Sequence, residues 1–181
     1  KIGLIAIPTT AGTGSEVTPY ASLKVAAAHN LFQKRSLTSA AAFPDIAVID
    51  PELSAECPQE LTATTGMDAL TQAIESYWCI KATPYSRNFS GPAIELVYQG
   101  LTEISENFKS IGARSKLALG ANWAGIGIAH APTTAVHATS YPLTIRYSIP
   151  HGHACALTLA SFIRYNRSYL EKTGRIILDK L

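Results

Sequence analysis

The clustering of histidine constrains this chain more than any other feature of its sequence. Four of the five histidines lie within residues 130–153. His137 and Tyr141 are four residues apart, which places both side chains on one face of a helix. We expect Pro142 to end or kink that helix, so that a loop of about nine residues leads to His151 at the start of the next helix. Imidazoles from neighbouring segments can converge, so the stretch predicts a shared site; the alternative is that single members are ordinary core or surface histidines.

Composition argues against several classes of protein. Hydrophobic residues make up 47% of the 181 residues and charged residues 15%, which is typical of a well-buried globular protein. The net charge of +2, without a basic stripe, argues against a nucleic-acid partner. No apolar run has the length of a membrane span, and no signal segment is recognised, so we expect no membrane partner. The three cysteines, Cys57, Cys79 and Cys155, are far apart and form no CxxC motif, which predicts free thiols and a cytoplasmic location.

The first part of the sequence predicts α/β structure. Residues 2–7 form an apolar run rich in β-branched side chains, as expected of a strand buried on both faces. The run follows Lys1 directly, which predicts that the chain is an internal piece of a longer polypeptide. Residues 20–25 and 46–49 predict further strands, separated by a polar segment that contains Lys34.

Glycine and hydroxyl residues follow the first predicted strand. The run Thr9–Glu16 reads TTAGTGSE, and its glycines permit backbone shapes that direct successive N–H groups at an anion. Such a turn could cradle a phosphate or a ribose. The run matches neither a Walker loop nor a GxGxxG fingerprint, so an ordinary turn between strands is an equal alternative.

Beyond Asp50-Pro51 the sequence predicts helices, and we place a domain boundary there. A helix is expected from Pro58 to about Cys79. One face of it carries the core stripe Met67, Leu70, Ile74 and Trp78, and another carries Asp68, Gln72, Glu75 and Cys79. Asp68 and Gln72 are one turn apart, which is the geometry of a metal-binding pair, although on most helices such a pair is merely solvated.

Three further helices are predicted, over residues 85–107, 113–129 and 152–165. The second is rich in alanine and glycine, so it should pack closely as the central helix of a bundle. Gly66, in the middle of the preceding helix, weakens that helix and predicts the close approach of another group.

Four blocks of the sequence, in order, resemble the iron-containing (group III) alcohol dehydrogenases. They are PTTAGTGSE (residues 8–16), DIAVIDPEL (45–53), TGMDALTQAIE (65–75) and PHG (150–152). Within that family, TTAVH (133–137) and SYPLT (140–144) most resemble the branch of the phosphonoacetaldehyde reductases.

The resemblance implies a fold and a division into domains. Family members have an α/β dinucleotide-binding domain followed by an all-α domain, the dehydroquinate synthase-like fold, with the metal in the cleft between the two. The chain would contain the end of the first domain (residues 1–50) and part of the helical bundle (51–181). By resemblance, NAD(P) would be bound by Thr9, Thr10, Gly12, Thr13, Ser15 and Lys34, and the metal by Asp68, Gln72, His137 and His151.

Two residues depart from the family pattern, which usually has histidine at the positions of Gln72 and Tyr141. A neutral amide is a weaker ligand than imidazole, so affinity for the expected Fe²⁺, or for Zn²⁺, should fall. Tyr141 can donate a proton, and with His151 it completes the expected catalytic pair.

The resulting hypothesis is a cytoplasmic, homo-oligomeric, NAD(P)H-dependent reductase of a small aldehyde, such as phosphonoacetaldehyde. Arg146 would bind the phosphonate, because a guanidinium group presents a bidentate fork. Two alternatives are a degenerate, non-catalytic module and a zinc-dependent polyol dehydrogenase of the same fold.

Overall fold

A computed structural model describes residues 3–26, 32–173 and 175–179 of the chain. Four short strands precede seven α-helices in the described residues. Strand β1 (Ile5–Ala6) pairs in parallel with β4 (Ile46–Ala47), with Ile5 opposite Ile46. Strands β2 (Tyr20–Ala26) and β3 (Phe32–Thr38) form an antiparallel hairpin in which Tyr20 lies opposite Thr38.

The strands differ from the sequence predictions in two respects. The prediction that the first strand is buried on both faces is wrong, because Ile5 is 58% exposed and Ala6 is only partly buried. The polar segment around Lys34 was predicted to separate two strands, but it forms strand β3 itself. The side chains of residues 35–38 are all exposed and do not alternate with buried ones, so the hydrophobic pattern could not reveal this strand.

The first three helices of the chain form the core of the bundle. They are α1 (Gln59–Trp78), α2 (Pro84–Glu106) and α3 (Ile111–His130), in close agreement with the predicted spans. Helix α2 begins with a capping box, in which Thr83 Oγ1 accepts from the backbone N–H of Ser86 and the Thr83 N–H donates to Ser86 Oγ. The Ser110 hydroxyl caps α3 by accepting from the N–H of Ala113.

Small residues let these three helices lie close together. A Cβ atom added at Gly66 would lie 2.6 Å from Leu101 Cδ2, and one added at Gly120 would lie 2.6 Å from Val97 Cγ2. The predicted close approach at Gly66 is thereby confirmed, as is the central position of α3, which packs on both α1 and α2. Ile74, Ile94 and Leu117 form the fully buried centre of the core.

The remaining helices are α4 (Ala135–Tyr147), α5 (His151–Tyr165), α6 (Arg167–Thr173) and α7 (Arg175–Leu178). Pro142 was predicted to end or kink its helix; an end at this residue is wrong, and so is the predicted loop of about nine residues before His151. Helix α4 continues through the exposed Pro142 and ends at Tyr147, where Ser148 adopts a left-handed conformation (φ 55°). A proline removes one helical hydrogen bond, and the packing of α4 against α5 holds the helix together beyond it.

The strands contact the helical bundle directly. The turn at Ser15–Val17 packs on α3, and β3 contacts α4. Gly14 has a left-handed backbone (φ 59°), and a Cβ there would lie 2.5 Å from Gly125 Cα, so glycine is required on both sides of this contact. The division into units at Asp50–Pro51 stays a prediction. Among the described helices, none combines the length and the apolar character needed to cross a membrane.

Candidate metal centre

Three helices bring one carboxylate, one amide and two imidazoles together. Helix α1 contributes Asp68 and Gln72, α4 contributes His137, and α5 contributes His151. Asp68 Oδ1 lies 3.2 Å from His137 Nε2 and 3.8 Å from His151 Nε2. Two ligands about 2.1 Å from one tetrahedral ion lie roughly 3.4 Å apart, so these separations suit a shared ion. The four residues predicted as metal ligands are therefore brought together, and their binding of a metal is a proposal developed below.

His151 reaches this point because the N-terminus of α5 lies against α1. A Cβ atom added at Gly152 would lie 1.7 Å from the carbonyl oxygen of Thr64 and 3.1 Å from the backbone nitrogen of Asp68. Only glycine permits this contact. The Pro-His-Gly sequence thus combines a ligand with the residue that lets it approach Asp68.

Glu75 fixes the position of His137. This carboxylate on α1 is completely buried and accepts hydrogen bonds from the N–H groups of Val136 (2.8 Å) and His137 (3.3 Å), in the first turn of α4. It also accepts from the Thr134 hydroxyl at 2.5 Å. Its Oε2 lies 2.5 Å from His137 Nδ1. Glu75 therefore caps α4 from a neighbouring helix and holds the imidazole that α4 carries.

Hydrogen bonds at the far side of each ring orient both imidazoles. His137 Nδ1 must donate to the Glu75 carboxylate, which leaves Nε2 facing Asp68. Ser140 donates its hydroxyl proton to the carbonyl of His137 (2.7 Å), so it accepts from His151 Nδ1 at 3.3 Å. Both rings thus direct Nε2 toward Asp68, and hydrogen bonds of this kind orient metal-bound histidines.

Charges within the cluster shift the pKa values of its members. Burial, the largest influence, favours the neutral form, but the hydrogen bonds that His137 donates to Asp68 and Glu75 outweigh it and raise the pKa of His137 to about 9. The pKa values of Asp68 and Glu75 are lowered, since their bonds to His137 outweigh the opposing effect of burial. Without an ion, a proton on His137 balances part of the negative charge of the two carboxylates.

Gln72 adds a buried side-chain oxygen to this group of residues. The residue is 5% exposed, and its Oε1 is buried without a hydrogen bond among the described residues. A buried oxygen without a partner costs free energy unless a ligand satisfies it. Because the carbonyl oxygen of an amide is an acceptable ligand for a divalent ion, the donor set fits such an ion.

A large cavity opens beside these four residues. It has a volume of about 580 Å³ and is rich in hydroxyl groups. Its lining comprises Thr13, Ser15, Tyr20, Ala21, Ser22, Ser36, Thr38, Asp68, Gln72, Ile128, Pro132, Thr133, His137, Tyr141 and His151. The ring of Tyr141 stacks on that of His151, with centroids 6.0 Å apart and planes 18° apart. Burial, followed by the charges of Cys155, Glu75 and Asp68, raises the pKa of Tyr141, so its hydroxyl keeps its proton at neutral pH.

The other predicted site residues fall at several places. Thr13 and Ser15 line the large cavity, whereas Thr10 and Gly12 line a separate narrow crevice between the turn and α3. Thr9 is exposed. The side chain of Lys34 lies outside the described part of the structure. Arg146 is exposed near the end of α4 and is not among the residues that line the cavity. The roles predicted for all of these stay predictions.

Sequence reasoning gave no functional role to two members of the cluster. Glu75 was placed on the polar face of α1 without a function. Cys155 was predicted only to be a free thiol, yet it offers a ligand atom that lies within 4.8 Å of those of Asp68, His137 and His151. Its spacing of four residues from His151 was the available signal, since it places both on one face of α5.

Comparisons with known proteins agree with this description of the fold and place the chain in a class of oxidoreductases. The profile described as "Iron-containing alcohol dehydrogenase" matches residues 1–51, and the one described as "Fe-containing alcohol dehydrogenase family, C-terminal" matches residues 62–179. The chain belongs to the iron-containing alcohol dehydrogenase family. This result confirms the predicted family, fold class and enzyme class, with NAD(P) and a divalent metal as the cofactors of that family.

Several relatives support the assignment. The chain is 40% identical over 169 residues to a phosphonoacetaldehyde reductase of Streptomyces viridochromogenes, which covers 92% of the chain and 42% of that protein. It is 37% identical over 162 residues to a 1-propanol dehydrogenase of Salmonella typhimurium, covering 90% and 43%. Among solved structures, a sulfoacetaldehyde reductase from Bifidobacterium kashiwanohense in complex with NAD⁺ has a TM-score of 0.85 and 41% identity, covering 91% and 43%. The chain spans less than half the length of each relative.

Proposed function

We propose that this chain carries the metal-binding part of an NAD(P)H-dependent reductase that converts a small aldehyde to an alcohol. The observation that carries the proposal is the convergence of Asp68, His137 and His151 at one edge of a hydroxyl-lined cavity. The Nδ1 atoms of both imidazoles are held by hydrogen bonds, which leaves the Nε2 atoms directed at one place.

The residues divide the chemistry among them. Asp68, His137 and His151, helped by the oxygen of Gln72, would hold a divalent ion, Fe²⁺ or Zn²⁺. Such an ion supplies a Lewis acid that stabilises negative charge on the aldehyde oxygen. The reduced nicotinamide supplies the hydride. Glu75 keeps His137 in place throughout, and the described fold seals it from solvent.

Tyr141 would donate the proton that converts the reduced aldehyde oxygen to a hydroxyl group. Its side chain lines the cavity and stacks on His151, so its hydroxyl belongs to the same wall as the metal ligands. The raised pKa of Tyr141 keeps the proton on Oη at neutral pH, ready for transfer to the product oxygen.

We propose a two-carbon aldehyde that bears a tetrahedral oxyanion as the substrate. Two relatives near 40% identity are named for phosphonoacetaldehyde and sulfoacetaldehyde, which share that shape and differ in the central atom. The hydroxyl groups of Thr13, Ser15 and Thr133 line the cavity and suit an anionic oxygen. Arg146 stays a predicted partner of the anion, and an Arg146→Ala variant with unchanged activity would remove it.

Activity and metal content of the purified protein test the proposal together. We expect oxidation of NADH or NADPH with phosphonoacetaldehyde or sulfoacetaldehyde, loss of activity on chelation, and recovery with Fe²⁺ or Zn²⁺. His137→Ala should lose the metal, whereas His153→Ala, at an exposed position on α5, should keep it. Protein without metal and without activity would favour the non-catalytic module. Activity on glycerol alone would favour the polyol dehydrogenase.

The assembly and location of the protein are separate proposals. A homo-oligomer in the cytoplasm is what the sequence predicted. Size-exclusion chromatography with light scattering would measure the first, and fractionation of cells would measure the second.

A further inference from the structure

We propose that Cys155 is a thiolate ligand of the divalent ion, so that the site has a mixed nitrogen, oxygen and sulfur donor set. This inference rests on the proposed function, because it assumes that an ion is bound between α1, α4 and α5. It adds a ligand that neither the sequence motifs nor the comparisons assign.

The position of Cys155 carries the proposal. His151 and Cys155 are four residues apart on α5, so both side chains leave the same face of that helix. Cys155 is completely buried, and its sulfur lies within 4.8 Å of the ligand atoms of Asp68, His137 and His151. Tetrahedral ligands of one ion lie roughly 3.4–3.8 Å apart, so a side-chain shift of about 1 Å would let a single ion contact all four residues.

Gln72 provides an independent sign that a ligand belongs here. Gln72 lines the same cavity, and its Oε1 is buried and has no hydrogen bond among the described residues. An amide oxygen is a weak, neutral donor, so with Gln72 alone the ion would have one carboxylate charge and two imidazoles. A thiolate supplies a second negative charge and a stronger bond.

The alternative role of Cys155 is packing, since it also contacts the apolar core. Packing alone would be served equally by other small side chains. The two roles predict different metal preferences. A sulfur ligand shifts preference toward softer ions, so Zn²⁺ should be favoured over Fe²⁺. Binding also requires the thiol to release its proton to solvent as the sulfur–metal bond forms.

Cobalt substitution tests the proposal without relying on activity. The metal of the purified protein is removed and replaced by Co²⁺, which accepts the same donors as Zn²⁺ and absorbs in the near ultraviolet when bound to thiolate. We expect that charge-transfer band in the native protein and its loss in Cys155→Ser. The Kd for Zn²⁺ should rise at least about 100-fold in the same variant, because loss of a ligand should exceed the loss of a supporting hydrogen bond.

Cys79→Ser is the matched control, because Cys79 is also buried but lies at the end of α1. It should keep both the band and the affinity. Stoichiometric Co²⁺ binding by the native protein without the sulfur band would overturn the assignment of Cys155 and leave the proposed function standing. Failure to bind any Co²⁺ or Zn²⁺ would overturn both. If Cys155→Ser does not fold, the spectrum of the native protein still decides.

Discussion

Glu75 on α1 and His137 on α4 are joined by a hydrogen bond of 2.5 Å between Oε2 and Nδ1. The same carboxylate accepts from two N–H groups in the first turn of α4. One residue thus sets both the position of the helix and the direction of the imidazole. The orientation of His137 is therefore determined by α1, the helix that also carries Asp68 and Gln72.

The first prediction concerns Glu75→Gln. An amide has one acceptor oxygen and would present its NH₂ group to one of the four donors that surround Glu75. We expect the Kd for Zn²⁺ to rise about 10–100-fold, as for other groups that orient a metal-bound histidine. The free energy of unfolding should fall by about 1–3 kcal/mol, because a buried donor loses its partner. Metal titration and urea unfolding would measure the two effects.

Glu103→Gln is the control for this experiment. Glu103 pairs with Lys116 on α3, and both side chains are partly exposed. Loss of an exposed ion pair costs only about 0–1 kcal/mol, and metal affinity should not change. Equal effects of the two substitutions would mean that Glu75 has no specific role at the site.

The second prediction concerns Gly152→Ala. The added methyl group would overlap the carbonyl oxygen of Thr64, so α5 must move away from α1 and take His151 with it. We expect a loss of about 1–3 kcal/mol in unfolding free energy, as for overpacked cores, together with weaker metal binding. Gly112→Ala is the control, since its nearest neighbour would be Ser110 Oγ at 3.7 Å. That substitution should leave both quantities unchanged or raise stability slightly.

Residues that follow a helical repeat were the ones the sequence predicted well. A period of 3.6 residues determines which side chains share a face of α1. This period predicted both the apolar stripe that faces the core and the position of Asp68 and Gln72 on a common face. Strand β3 was missed because its side chains at residues 35–38 are all exposed and show no alternation of buried and exposed positions. The course of α4 past Pro142 was missed because contacts with α5, which are distant in the sequence, decide it.

The interactions that complete the site also depended on distant contacts. The spacing of residues on α1 predicts that Glu75 is on the polar face, but not that the first turn of α4 lies against it. Cys155 likewise acquires its neighbours only when α5 packs on α1. A single residue outside a repeating pattern does not indicate which distant part of the chain it will contact.

The third prediction concerns Gln72→Met. This substitution keeps the approximate volume and removes the amide oxygen, which has no hydrogen bond to any residue that the structure describes. If that oxygen contacts the ion, the Kd for Zn²⁺ should rise about tenfold, consistent with a weak ligand. Gln72→His should instead bind metal more tightly than the native protein, because imidazole is the stronger donor. Isothermal titration of the demetallised variants would show the order, and an unchanged Kd in both would exclude Gln72 as a ligand.

The fourth prediction concerns pH and the metal-free protein. Hydrogen bonds to Asp68 and Glu75 raise the pKa of His137 from 6.5 to about 9 against the effect of burial. A raised pKa in the folded state stabilises the protein fully below pH 6.5, and this stabilisation is lost as the pH rises through about 9. Unfolding by urea at a series of pH values should show that decline. His153→Gln should retain the decline, whereas a flat profile in the native protein would contradict the protonated His137.

The last prediction concerns Tyr141→Phe. The ring and its stacking on His151 are kept, and only the hydroxyl that would donate the proton is removed. We expect kcat to fall about 10²–10⁴-fold, the usual contribution of a general acid, with metal content unchanged. Tyr147→Phe is the control, because Tyr147 is 70% exposed at the end of the same helix. Since only the proton-transfer step should suffer, KM should change little. A Tyr141→Phe variant with native kcat would assign proton delivery to water and leave Tyr141 as a wall of the cavity.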